Sequence, residues 1–304
     1  MSEIKGLITS IQRYSTKDGP GIRTAVFLIN CNLCCKWCSN PESMYPGKKV
    51  MYHVVKCQRC GACVRRVADS SIVVTPDGCK IDREKCTKLF ELPDVCNYDA
   101  YEIKGSEMTP TELAKKLLRD ETFYKTSNGG VTFSGGECLL QHEFVLETSR
   151  LLKEHDIHIA LDTAGLWDFE MVRPALKIAD LILYDIKAFD PRIHAACTGV
   201  SNEAILENAR RLAKMDKAMF LRMIIVPGMN DEENDLKRRL EFAVSLGSAV
   251  KQVDLLKYHR LGLEKYRDLG LEYPIPEVPE TVDSDVAWAL DYGRSLGLNM
   301  TVGG

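Results

Sequence analysis

Apolar positions recur along this chain with two periods, and the period changes several times. Thr24-Ala-Val-Phe-Leu-Ile-Asn30 is a short continuous apolar run and reads as a buried strand. Beyond residue 105 such runs alternate with stretches of helical spacing. A helix is predicted over 110–126, opened by Thr109-Pro110 with the threonine as cap and the proline in the first turn. Strands are predicted at 130–133, 157–161, 180–185, 219–226, 251–257 and 298–302. Helices are predicted at 141–155, 168–178, 190–196, 202–215, 232–246 and 282–296. This alternation implies a parallel sheet with right-handed crossovers. About six units precede the tail, fewer than the eight of a closed barrel, so the expected fold is α/β, a partial (β/α)6 TIM-like barrel. Residues 50–104 lack long helical periodicity and predict a small insertion, leaving 1–49 and 105–304 for the barrel. No internal repeat or low-complexity segment interrupts the pattern.

Composition narrows the function. The 304 residues carry 40 Lys+Arg against 43 Asp+Glu, a net charge of −3, which offers no basic surface for nucleic acid. No apolar run approaches the roughly 20 residues that span a bilayer. Met1-Ser-Glu-Ile-Lys-Gly lacks the apolar core of a secretion signal, so a cytoplasmic location is expected, with no membrane partner. Against that background 12 cysteines are anomalous, and ten of them fall between Cys31 and Cys96. Clustered cysteines in a reducing compartment bind metal or do chemistry more often than they form disulfides.

Two patterns carry the chemistry. Cys31-x3-Cys35-x2-Cys38 follows the first predicted strand. Three thiolates on one loop can hold three irons of a 4Fe–4S cubane and leave the fourth open for a substrate. Structural zinc wants four closed ligands, and no fourth is obvious nearby. Cys34 lies outside the spacing. In the insertion, Cys57-x2-Cys60-x2-Cys63 begins a bacterial ferredoxin run, but Val67 stands at its last position. The second run keeps Cys86 and Cys96, with Leu89 and Leu92 between. Because the last cysteine of each run ligates the other cluster, Cys96 completes Cys57, Cys60 and Cys63, and the second cluster retains only Cys86. One auxiliary 4Fe–4S cluster is expected, with a zinc ribbon on the same four cysteines as the alternative. Cys79 is left for a residual site with Cys86.

The cysteine spacing resembles that of radical S-adenosylmethionine (SAM) enzymes, and the similarity continues. Asp18-Gly-Pro-Gly-Ile-Arg-Thr24, Cys38-Ser-Asn-Pro-Glu42, Phe133-Ser-Gly-Gly-Glu-Cys-Leu-Leu-Gln141, Leu161-Asp-Thr-Ala-Gly165, Tyr184-Asp-Ile-Lys187, Arg222-Met-Ile-Ile-Val-Pro-Gly-Met-Asn-Asp231 and Tyr258-His-Arg-Leu-Gly262 follow in order. This series resembles the activating enzymes of glycyl radical enzymes, with a ferredoxin-like insertion added. The resemblance implies SAM contacts from Trp37, Cys38, Ser39, Gly135, Gly136, Glu137, Asp185, Ile186, Lys187, Arg222 and His259. It also implies a monovalent cation held by Asp162, Thr163, Asp185 and the Tyr184 carbonyl, and it sets Gly19-Pro-Gly21 near a bound peptide loop. Cys138 has no assigned role.

The implied activity is reductive cleavage of SAM, whose 5′-deoxyadenosyl radical takes hydrogen from a backbone glycine of a partner glycyl radical enzyme. A one-electron donor such as flavodoxin or ferredoxin would reduce the cluster, and the open iron implies anaerobic conditions. Two other readings stand beside it: a radical SAM enzyme acting on another peptide or a small molecule, and a zinc-stapled binding protein.

Overall fold

The computed structural model describes residues 3–303. In chain order its strands are β1 (Gly6–Ser15), β2 (Arg23–Leu28), β3 (Lys49–Tyr52), β4 (Ile72–Thr75), β5 (Gly78–Ile81), β6 (Tyr101–Lys104) and β7 (Ser106–Met108). They continue with β8 (Gly130–Gly135), β9 (His158–Thr163), β10 (Leu181–Asp185), β11 (Met219–Ile225), β12 (Val250–Lys257) and β13 (Met300–Gly303). One nine-stranded sheet has the order β13-β12-β11-β10-β9-β8-β2-β1-β7. From β2 through β8 to β13 every pairing is parallel. The two ends of the sheet do not pair, so the barrel is partial. β1 pairs antiparallel with β2, and β7 with β1. The periodicity analysis had anticipated the parallel strands but not this antiparallel edge, whose β1 sequence mixes polar and apolar residues on a half-exposed flank.

The helix-covered face of the parallel strands is apolar, whereas the opposite face carries polar and charged residues among apolar ones. Val26, Val131, Phe133, Leu161, Ile182 and Leu221 are all fully buried in the main core. The segment predicted as one helix over 110–126 is two helices, Pro110–Leu117 and Glu121–Ser127, joined by a tight 3-10 turn. The break buries Asp120, which accepts a bond from the Thr24 hydroxyl at 3.0 Å and pairs with Arg13 at 3.2 Å. Thr109 caps the first helix as expected, within a reciprocal capping box with Glu112.

Residues 49–104 form two small two-stranded sheets, β3 with β6 and β4 with β5. This region packs on helix Leu263–Leu269, which local sequence does not announce. His53 Nδ1 lies 2.6 Å from Asp268, and Arg83 donates to the carbonyls of Val50 and Asp268 at 2.6 and 2.7 Å. The same helix sends Lys265 to Asn40 and Glu42, both at 2.8 Å, just past the Cys31–Cys38 loop. Among the described residues no helix is long and apolar enough to cross a membrane.

Candidate active site and cysteine sites

The parallel strands end on one side of the sheet, and a cavity of about 760 Å³ opens there. Its size suits a ligand of cofactor dimensions. Cys31, Cys35 and Cys38 line it, on a loop that leaves β2. The loop is anchored by its backbone: Cys31 N donates to Met44 O, Cys34 N to Thr198 O and Lys36 N to Cys197 O, at 2.8–3.0 Å. Cys197 is thus a buried support of the loop, and Cys34 is exposed. Burial pushes the Cys31 and Cys38 thiols up to about 11 and Cys35 up to about 12. Three thiols so placed stay neutral unless a metal takes the proton's place.

Gly135 and Gly136 line the same cavity at the end of β8, and packing explains them. Gly135 has φ +111°, and a Cβ there would sit 2.2 Å from Leu28 N; at Gly136 it would sit 2.2 Å from Asn30 O. Gly136 N and Glu137 N donate to Leu28 O and Asn30 O at 2.8 Å, locking this loop to the root of the cysteine loop. A side chain at either glycine would push the two apart.

Two ion pairs face the cavity. Arg222 Nη1 lies 2.9 Å from Asp162 Oδ1, and Asp162 Oδ2 also accepts from Ser134 at 2.7 Å. Lys187 Nζ lies 2.7 Å from Asp185. Burial opposes both cations, but Asp162 and Asp185 around Arg222, and Asp185 beside Lys187, outweigh it and hold them charged. The Lys187 backbone is fixed from behind. Its carbonyl accepts from Asn230 Nδ2 at 2.7 Å and from the fully buried Arg239 at 3.4 Å, and Arg239 pairs with Asp235 at 3.0 Å.

Trp37, Ser39, Thr163 and His259 also line the cavity, so most of the residues singled out from sequence meet there. Three do not. Glu137 is fully buried behind it, where its carboxylate accepts from Thr163 Oγ1 (2.8 Å), Leu139 N (3.1 Å) and Ala164 N (3.0 Å). It shapes the loop and makes no contact with the cavity. The side chains of Tyr184 and Ile186 alternate with Asp185 and point to the helix side, where the Tyr184 hydroxyl donates to Ile205 O at 2.6 Å; the Tyr184 atom expected at the cation is the backbone carbonyl, on which the side-chain direction does not bear. The period of two in β10 already separates them from Asp185. It is Leu183, two residues before Asp185, that faces the cavity. The expected cation ligands are engaged within the protein: Asp162 by Arg222, Asp185 by Lys187, and the Thr163 hydroxyl by Glu137. Asp254 and Thr301, bonded to each other, line the far wall and were missed, because a carboxylate in a strand carries no local signal.

A second, small cavity lies in the 49–104 region. Cys57, Cys60, Cys63, Cys79 and Cys96 surround it, with Tyr101. Cys79 lines this cavity, whereas Cys86 does not. Cys86 is buried with Val67 and Leu92, and with Leu89 packed against them, in the apolar core of this region, which also holds Cys63 and borders Cys57, Cys79 and Cys96. The four positions of a second ferredoxin cluster are therefore packed together as core.

The partial parallel barrel with a three-cysteine loop at its C-terminal edge defines the class. A family model described as Radical SAM superfamily matches residues 26–240. The chain is 38% identical over 291 residues to the choline trimethylamine-lyase activating enzyme of Oleidesulfovibrio alaskensis, covering 94% of each chain. It is 34% identical to the (2S)-3-sulfopropanediol dehydratase activating enzyme of Klebsiella oxytoca, over 98% of this chain and 97% of that one. A solved domain of pyruvate-formate lyase-activating enzyme from Bacteroides vulgatus is 31% identical with a TM-score of 0.50, covering 58% of this chain and 99% of that one. The chain belongs to the radical SAM superfamily and, within it, to the activating enzymes of glycyl radical enzymes. Its activity is the activation of a glycyl radical enzyme by radical SAM chemistry.

Proposed function

We propose that Cys31, Cys35 and Cys38 hold the SAM-binding 4Fe–4S cluster and that the cavity beside them receives SAM, with the partner's glycine loop entering past Gly19-Pro-Gly21. The observation that carries this reading is the meeting of three half-buried thiols and two ion pairs in one cavity of about 760 Å³. When bound, cluster and SAM supply a 5′-deoxyadenosyl radical that abstracts hydrogen from a backbone glycine. The protein supplies orientation and shelter from water. Arg222 and Lys187 present fixed positive charge to the carboxylate of SAM, while Asp162 and Asp185 offer acceptors to its amino group. Trp37, Ser39 and His259 wall the remainder, and Gly135-Gly136 bring backbone close without a side chain. Arg23 shapes the entrance: fully buried, it donates to Thr132 Oγ1 (2.7 Å), Pro20 O (3.2 Å) and Val131 O (2.7 Å), pinning the Asp18–Gly21 turn.

The 50–104 region is a ferredoxin-like insertion with one auxiliary 4Fe–4S cluster on Cys57, Cys60, Cys63 and Cys96. Their convergence on one cavity supports this, as does the apolar filling of the second cluster's place. The Tyr101 hydroxyl, buried with no protein hydrogen-bond partner, suits a group with acceptor sulfurs there. The partner is a glycyl radical enzyme, and a flavodoxin or ferredoxin supplies the electron. Relatives of nearly equal identity are named for a lyase and for a dehydratase, as expected when the partner's own substrate never enters this site.

The test is anaerobic reconstitution with iron and sulfide, followed by dithionite and SAM. The protein should form 5′-deoxyadenosine, and Cys35→Ala should form none. A reconstituted, iron-loaded protein that forms none, alone or with a glycyl radical enzyme, would refute the reading.

A further inference from the structure

Five thiols surround the auxiliary site, one more than a cubane binds. Cys79 lies on β5, in a hairpin pressed against the site. Its backbone N–H donates to the Tyr52 hydroxyl at 2.7 Å. Gly78 permits that approach, since a Cβ there would stand 2.7 Å from both Tyr52 Oη and Val54 Cγ2. The Cys79 sulfur is 3.9 Å from the Cys57 sulfur and 3.8 Å from the Cys63 sulfur. Ligand sulfurs of one cubane bind different irons and stand apart across its body, so a thiol touching two of them does not occupy the fourth corner. A tetrahedral zinc ion, with Zn–S bonds of about 2.3 Å, would draw its thiols this close but would need three or four to converge on one point. Among the described residues no three Cys, His, Asp or Glu side chains do so. Contacts of this length between sulfurs are those of a thiol hydrogen bond. Tyr101 lines the same small cavity, and its buried hydroxyl has a proton and no hydrogen-bond partner within the protein.

We propose that Cys79 is a hydrogen-bond donor to the auxiliary cluster and not one of its ligands: its thiol donates to the Cys57 and Cys63 sulfurs and, with the Tyr101 hydroxyl, raises the cluster's reduction potential. Reduction places negative charge on the cluster and its sulfurs. Donors aimed at those sulfurs stabilise the reduced form, and this is one of the established controls on iron–sulfur potentials. The inference rests on the auxiliary-cluster reading above.

The experiment uses the full chain carrying Cys31→Ala, Cys35→Ala and Cys38→Ala, so that the auxiliary site is the sole iron site. Iron, sulfide and zinc are counted, and the cluster is titrated potentiometrically. Cys79→Ala and Tyr101→Phe should each keep the iron of this background and shift the midpoint to a more negative potential. Cys79→Ser, which restores an X–H donor, should recover part of the shift. If Cys79→Ala loses the iron while Cys96→Ala keeps it, Cys79 is a ligand and the proposal falls. Retained iron with an unmoved potential in both variants also overturns it, leaving the auxiliary cluster itself intact. A background that binds zinc and no iron refutes the cluster and the proposal together. Should the triple variant fail to fold, the same titration is run with all cysteines present, where added SAM perturbs only the signal of the open-iron cluster.

Discussion

Three cysteines at the barrel edge face a wide cavity, whereas five in the insertion surround a small one, where the Cys79 sulfur touches those of Cys57 and Cys63. The barrel site is surrounded by fixed charges: Arg222 with Asp162, and Lys187 with Asp185. The insertion site is lined by the five thiols with Tyr98 and Tyr101, Arg59 being its one charged neighbour among the lining residues. A group that must bind a zwitterionic cofactor needs room and charge of both signs. A group that only exchanges electrons needs closure and hydrogen bonds that set its potential. The same side-chain chemistry thus sits in two surroundings, which fit the two roles proposed above.

The largest expected effect separates the sites outright. Cys35→Ala should abolish 5′-deoxyadenosine formation and keep the auxiliary iron. Cys60→Ala should do the converse, losing the auxiliary iron and keeping the SAM-responsive signal. Iron counts with electron paramagnetic resonance check both, and loss of both clusters in either variant would show that the sites do not load independently.

Next is the support beneath the barrel site. Arg239→Ala leaves Asp235 as an uncompensated buried charge and frees the Lys187 carbonyl, and such losses cost about 3–5 kcal/mol. The denaturant midpoint should fall accordingly. A smaller loss, about 3 kcal/mol, is expected for Glu137→Ala, which strips acceptors from Thr163, Leu139 and Ala164. Burial raises the Glu137 carboxyl from 4.5 to about 7. Its proton therefore binds more tightly in the folded chain than in the unfolded one. That contribution is complete below about pH 4.5 and is lost as pH rises through about 7. Glu137→Gln should flatten the stability profile across that window, as read by unfolding at a series of pH values.

The smallest effect concerns the joint between the two regions. Lys265→Ala removes its bonds to Asn40 and Glu42, on a partly exposed side chain worth about 1 kcal/mol or less. Hydrogen exchange should quicken in helix Leu263–Leu269 with little change in either cluster.

Much of this was legible along the chain. The strand-helix alternation after residue 105 gave the parallel sheet, and the spacing of Cys31, Cys35 and Cys38 gave a three-thiolate loop after its first strand. Apolar residues at the places where a second ferredoxin run would put ligands were visible as Val67, Leu89 and Leu92, and in the structure these side chains are part of an apolar core. β1 and helix Leu263–Leu269 were not legible, because each owes its place to remote partners, β1 to the register with β2 and the helix to Glu42 and His53.

The sequence by itself determined which ligand atoms exist and which of them share a loop, because residues a few positions apart are held together by the backbone whatever the fold. Only the tertiary structure decided which charges face each other and which thiols meet. Arg222 finds Asp162 across two strands, Glu137 turns away from the cavity to hold Thr163, and Cys79 reaches Cys57 and Cys63 from a hairpin. Each of these depends on sheet order, register and the close approach that glycine allows, and none of them is written in local spacing.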